Sequence, residues 1–361
     1  MNSAHENPTV NPHPATFAEY ADLPYPPSYV NRLIDFIQRL PVHYGLTFLL
    51  LFLLQVAVFQ IVSWVDGWLP AYTFAPVNLL FPLWMWGSLA IVVYLDNVAH
   101  EVLADFSSLL DITSDKARRL DYEFTTMPSR AVIVTGIIWS ALYALTWYLA
   151  YDSIAAAYGF GPFMFVLTIL AGFVSYFIGS VFYYHTIRQL RLVTRTVRMV
   201  DRFDLFRLDP VYSFSVLTSQ TGLFWVLMLT CTLLILQVQV AFIPVIATLS
   251  LQIALAVAAF ILPLRSVHQA LVQEKRKQLA ELDQRFKSTL ASLHRCVDQN
   301  VFHEITDLNN VLTALNSERE IVVKIATWPW RPGLFAGFIT VALVPIILYL
   351  IQLALGKLLG G

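Results

Sequence analysis

Apolar and polar positions in this chain come in long blocks. Uninterrupted apolar runs occupy 44–65, 76–95, 131–151, 162–184, 218–240, 244–264 and 333–355. Each approaches or exceeds the ~20 residues a helix needs to cross a hydrocarbon core of roughly 30 Å. A membrane β-barrel would instead alternate over segments of about 10 residues, and no such pattern is present. The pattern therefore predicts an all-α polytopic membrane protein with seven transmembrane helices.

Between the runs the helical period persists in three places. The second span continues through Asp96–Leu110, the fourth through His185–Asp201, and the sixth through a long polar stretch beginning at Arg265. These predict helices that leave the bilayer. Together with Ser288–Glu318 they are expected to pack into a compact helical domain beneath the bundle. Ahead of the first span, NRLIDFIQRL puts Leu33, Ile34, Phe36, Ile37 and Leu40 on one broad face. That face suits a short helix lying at the membrane interface. Residues 1–30 are rich in Pro and Asn, read as a disordered arm, and lack the pattern of a signal peptide. The expected organisation is an arm (1–30), an interfacial helix (31–43) and a six-helix bundle (44–264) with extensions at 96–130 and 185–214. A cytoplasmic stalk or anchor (265–332) and the last span (333–361) follow. The segment DITSDKARRLDYEFTTMPSR reads as a link.

Composition supports the class. Hydrophobic residues make up 57% and charged residues 13%, against about 25% charge in soluble domains. Too little charge remains to cover a water-facing surface. Charge placement adds an orientation. All but Lys357 of the 23 lysines and arginines precede the first span or fall in the second-to-third, fourth-to-fifth and sixth-to-seventh links. The positive-inside rule then puts the N-terminus in the cytoplasm and the C-terminus outside, as an odd span count requires. The expected location is the cell membrane, crossed several times.

Soluble-enzyme chemistry finds no support. There is no phosphate-cradling glycine loop, HExxH, GxSxG or triad, so no enzymatic activity, cofactor, metal or nucleic-acid partner is expected. Cys231 and Cys296 lie in different environments, and His294, Cys296 and His303 lack a zinc spacing. Arg188, Arg191, Arg195, Arg198 and Arg202 step by three and four onto one helical face. That stripe suits a solvated or salt-bridged face, contact with anionic lipid, or a voltage sensor. Asp201, Asp204 and Asp209 are natural partners or caps for it. Within the spans, Gln55, Gln60, Asn78, Gln237, Gln239, Gln252, Thr340 and Gln352 need partners in lipid, through interhelical hydrogen bonds or along an ion path. Trp328, Trp330 and Arg331, interleaved with Pro329 and Pro332, read as an anchor at the headgroup level.

The layout is similar to the seven-transmembrane ion-channel superfamily that includes insect odorant and gustatory receptors. The shared features are the inside N-terminus, the tight fifth-to-sixth turn, the cytoplasmic run of the sixth span and a short last span. The resemblance covers Asn31–Leu355 and is architectural. It implies a homotetramer held by cytoplasmic helices, with the last span lining a central cation pore. Thr340, Pro345, Tyr349 and Gln352 are then the candidate pore-lining residues. The insect motif TYxxxxxQF is not present; Leu348-Tyr-Leu-Ile-Gln-Leu is the nearest stretch. Ligand pockets in that superfamily lie in the outer halves of the spans, where Tyr72, Phe74, Tyr151 and Tyr158 fall. Two other classes stay open: a non-conducting scaffold or sensor that binds a cytoplasmic partner or anionic lipid, and a transporter.

Overall fold

A computed structural model describes residues 23–107, 113–200, 205–206, 209–236, 243–299, 302–330 and 333–359. Among them the chain is helical, with no strand beyond one isolated bridge between Pro27 and Pro128. Six described helices are long and apolar enough to cross a membrane: Tyr44–Val65, Pro76–Phe106, Ser129–Leu149, Pro162–Val197, Tyr212–Leu236 and Ile253–Asp298. A shorter apolar stretch, Phe335–Ile351, follows. Large apolar side chains such as Leu54, Ile61, Ile137 and Leu170 stay exposed along these helices. The fold is all-α with six candidate membrane-spanning helices.

Helix α1 (Tyr29–Gln38) starts where the Ser28 side chain accepts from the Asn31 amide, satisfying one free N-terminal donor. It buries Val30, Ile34 and Ile37 against Phe48, Leu89, Met127 and Val181. The face expected at the bilayer interface thus packs on the bundle, and Phe36 remains exposed. In α2 (Tyr44–Val65), Gln60 donates to the Thr73 carbonyl at 2.7 Å. Asn78 donates to both Gln60 and Ser63 at 3.1 Å. These intramembrane amides serve interhelical bonding.

The second span is irregular at its start. A 3-10 turn (Pro76–Leu79), the short α3 (Leu80–Pro82) and a π turn (Leu83–Gly87) lead into α4 (Ser88–Ser107). Pro82 has no amide hydrogen to donate, and a widened π turn follows it. The Trp84 carbonyl there accepts from Ser88 and faces Gly179. A Cβ at position 179 would run into that carbonyl. Overpacking a tight contact costs about 1–3 kcal/mol. Gly179→Val is therefore expected to lower the thermal midpoint in detergent. Gly337→Val, which meets nothing within 4 Å, is the internal control, and equal losses at both sites would refute the assignment.

The segment expected to be a link carries a helix, α5 (Ser114–Thr125), with Asp115 in its first turn. Leu120 and Phe124, four apart, form its buried face. The antiparallel α6 (Ser129–Tyr158) and α7 (Pro162–Val197) come next, and Asp66 accepts from the Phe163 and Met164 amides at 3.2 and 2.9 Å to cap α7. α8 (Asp209–Leu236) precedes α9 (Ile243–Asp298), whose 56 residues span about 84 Å at 1.5 Å each. The continuous passage from apolar run to stalk is as expected. A 3-10 turn (Phe302–Glu304) then leads to α10 (Ile305–Lys324) and α11 (Leu334–Leu359).

The ends of α4 and α7 close with α5, α8 and the start of the α9 stalk around Phe106, Phe124, Leu192, Val197, Phe214, Val267 and Leu271. Ile325, just past α10, packs against that core, and α10 itself returns along α9 as a hairpin. Lys275 of α9 donates to the Val323 and Ile325 carbonyls, both at 2.7 Å. A cation there satisfies the free carbonyls at the end of α10.

Candidate functional site

Two clusters stand at the stalk-side end of the bundle. The first forms where α4 and α7 leave their apolar zones side by side. His185 is fully buried, and its Nε2 lies 2.8 Å from Asp96 Oδ1. Gln189, one turn further on, donates to the same carboxylate oxygen and to the Phe124 carbonyl, each at 3.2 Å. Neither ring nitrogen of His185 makes a hydrogen bond among the described residues, so the approach of Nε2 to Asp96 is a close polar contact. The imidazole and the Gln189 amide face this carboxylate from the same helix.

Arg188 locks the adjacent shell. Its guanidinium donates to the Glu123 carbonyl, to the Thr126 carbonyl at 2.8 Å and to the Tyr25 hydroxyl, and it lies 5.4 Å from the Tyr25 ring centroid. Tyr25 donates to the Thr126 carbonyl at 2.9 Å, and Tyr122 donates to the Tyr25 carbonyl at 2.8 Å. Burial pushes the Tyr25 phenol up to about 12, against the opposing pull of Arg188. It therefore stays a donor at neutral pH. Asn31 adds bonds to the Thr125 carbonyl at 3.2 Å and from the Met127 amide at 3.0 Å. The segment before α1 is thus fastened to α5 and α7.

The arginine stripe is divided. Arg188 faces protein carbonyls, and Arg195 pairs with the Glu123 carboxylate at 3.1 Å. Arg191 and Arg198 are exposed and form no ion pair among the described residues. Arg202, Asp201 and Asp204 lie outside the described residues.

The second cluster is an aromatic ladder between α9, the turn after α10, and α11. His268 stacks on Trp328 at 4.1 Å, Trp328 on Trp330 at 4.5 Å, and Trp330 on Phe335 at 4.6 Å. Phe260 of α9 stacks on Trp330 at 5.7 Å and on Phe338 of α11 at 4.3 Å. His268 Nδ1 lies 3.1 Å from the Thr327 carbonyl. The tryptophans read as interface anchors therefore stack on α9 and on each other, and Trp328 keeps 37% exposure. Arg331 lies outside the described residues.

The four candidate pore residues do not share a face of α11. At about 100° per residue, Pro345, Tyr349 and Gln352 lie within one sector, and Thr340 lies opposite. Thr340 is exposed and donates to the Ala336 carbonyl at 2.9 Å, whereas Pro345 is buried. The Tyr349 hydroxyl is buried without a partner among the described residues. The side chains of Gln352, Gln252 and Tyr158, and all of Gln237 and Gln239, lie outside the described residues. No group of three metal-ligating side chains forms among the described residues.

A cavity of about 300 Å³ opens among the span helices. Trp139 and Trp84 stack on Tyr183 at its wall, 4.2 and 5.7 Å between centroids, and the Trp84 indole donates to Thr232 at 3.0 Å. Sequence reasoning missed this cavity and the Asp96–His185 pair. The available signal for the pair was a polar residue at the same boundary of two adjacent spans. No family model, curated protein or solved structure matches the chain.

Proposed function

We propose that the protein is a homo-oligomeric membrane channel whose copies associate through the α9–α10 hairpin. In this reading α11 is the seventh span, the N-terminus is cytoplasmic and the C-terminus is outside. One observation carries the proposal: the hairpin cannot bury its own apolar residues. Leu279, Phe286, Leu290 and Leu293 of α9 and Leu308, Leu312 and Leu315 of α10 are only half-buried. Val311, Ile321 and Val323 are 46%, 56% and 48% exposed. Two helices enclose one seam between them; at about 100° per residue Val311 and Val323 flank that seam and Ile321 lies away from it, so apolar side chains at its open edges ask for more helices. A polar medium around the stalk would leave those side chains uncovered unless a second copy covers them.

The same continuous stretch supports a path. At 1.5 Å per residue the 26 residues of α11 reach about 39 Å, enough to cross the hydrocarbon core. Phe338 and Ala342 face the bundle, and Leu343, Ile346, Ile347 and Leu350 lie exposed opposite them. Gathered around an axis, that face forms a hydrophobic constriction of the kind that gates by dewetting. The resemblance in layout implies four copies and cation selectivity. The non-conducting scaffold is the second reading, favoured by the same face because Thr340 is its one polar side chain between Phe335 and Ile351.

Light scattering of the purified protein tests the assembly. The wild type is expected at a multiple of 40.9 kDa, and the pair Val311→Lys with Ile321→Lys at the monomer mass. Single-channel recording from planar bilayers tests the path, with conductance expected from the wild type and lost in the pair. A monomeric wild type sinks the proposal. An oligomer that never conducts leaves the scaffold.

A further inference from the structure

A groove of about 290 Å³ opens on the bundle surface between α7 and α9. Trp225 and Leu190 form part of its lining, and Leu255, Ala258 and Leu262 line it from α9. The stretch from Leu255 to Pro263 measures about 12 Å along the helix. Leu262 is 61% exposed and Leu255 38%, so the groove faces whatever surrounds the spans. Its chemistry changes along its length. The Leu255 and Ile187 end is apolar, whereas Arg191 and Thr194 line the stalk-side end. Arg265 follows two residues beyond Pro263 on α9.

The basic groups there are free in a way that their neighbours are not. Arg188 and Arg195 of the same helix are held by protein oxygens. Arg191 and Arg265 are exposed and make no ion pair among the described residues. The Thr194 hydroxyl is already donated to the Leu190 carbonyl at 3.2 Å, so an anion at this end must be met by arginine. A slot that is apolar toward the middle of the spans and cationic where they end matches one kind of molecule: an acyl chain carrying a negatively charged headgroup. The volume of about 290 Å³ lies just below the ~300–1,000 Å³ of small-molecule sites. It holds part of one chain, with the remainder in the bilayer.

We propose that this groove binds one anionic phospholipid, its chain between α7 and α9 and its phosphate at Arg191. The site is read on a single chain and stands whether or not the protein conducts. Charge complementarity selects the occupant, because a sterol or a neutral chain would leave Arg191 unmatched. A basic side chain near the headgroups is worth about fivefold in affinity for anionic lipid.

Native mass spectrometry of the full chain in detergent, titrated with phosphatidylglycerol or phosphatidylcholine, tests the proposal. One phosphatidylglycerol per chain should be retained, with phosphatidylcholine held about fivefold less tightly. Arg191→Gln should remove that difference, and Arg198→Gln on the same helix should leave it intact. Leu262→Trp, at an exposed position, should weaken both lipids by obstructing the chain without altering charge, and Ala258→Trp is a second obstruction. Equal losses from Arg191→Gln and Arg198→Gln would mean diffuse attraction and overturn the site. Displacement of phosphatidylglycerol by inorganic phosphate would reduce it to an anion site. A change in particle mass with Leu262→Trp would identify another copy as the occupant.

Discussion

His185→Leu is expected to destabilise the protein by about 1–3 kcal/mol, the cost of leaving a buried polar partner unmatched. The imidazole is fully buried and sits 2.8 Å from the Asp96 carboxylate, which is itself 17% exposed. Without it, Gln189 is the remaining side-chain donor to Asp96 among the described residues. Asp96→Leu should cost a similar amount, because the polar atoms of the imidazole and of the Gln189 amide then go unmatched. The double variant should cost less than the sum of the two singles, since it removes both members of the contact together. Unfolding midpoints in detergent for the wild type, both singles and the double complete the cycle. Additive losses would show that the two groups do not interact.

The contact is tied to the surrounding shell. Gln189 bonds the Phe124 carbonyl as well as Asp96, and Arg188 bonds carbonyls on either side of it. Loss at His185 should therefore spread to the end of α5 and to the Tyr25 segment that these bonds fasten. The junction joins the ends of α4 and α7 to the N-terminal segment through adjacent carbonyls at the end of α5.

How far such features were legible depended on whether their partners were local. The passage of α9 from apolar run to stalk could be read directly, because helical period continues across Leu264 and Arg265. The period also put five arginines on one face. It did not separate Arg188 from Arg191, although three residues differ by about 60° around a helix, and that angle decides which one reaches the Thr126 carbonyl. α5 escaped notice because Ser114–Thr125 carries only Leu120 and Phe124 as buried apolar positions. Its stability rests on Phe106 and Phe214, distant in sequence. Period shows that helices continue, and does not show that Phe106, Phe124 and Phe214 meet in one core. Asp96 and His185 each read as ordinary polar residues at the end of a span. Only the crossing of α4 and α7 makes them a pair.

Phe260→Ala is expected to cost about 3–5 kcal/mol from its own cavity, and to release α11 as well. Phe260 is fully buried, and its ring meets Phe338 at 4.3 Å and Trp330 at 5.7 Å. Gly222 of α8 leaves room for the Phe338 ring on the other side. Each stacked pair adds about 0.5–1.5 kcal/mol beyond burial. α9 has little reserve here, because Pro263 lies three residues on and removes one amide donor from the helix. The hairpin has its own seam and its own cap at Lys275, so it should survive the change. The expected signature is thus split: a lowered unfolding midpoint and faster proteolysis between α10 and α11, with the particle mass unchanged. Under the channel proposal, conductance would change in the same variant, since the ladder joins the assembling hairpin to the helix beside the path. Loss of the oligomer without exposure of that turn would mean that Phe260 supports the hairpin, and the ladder would then be a brace for the stalk.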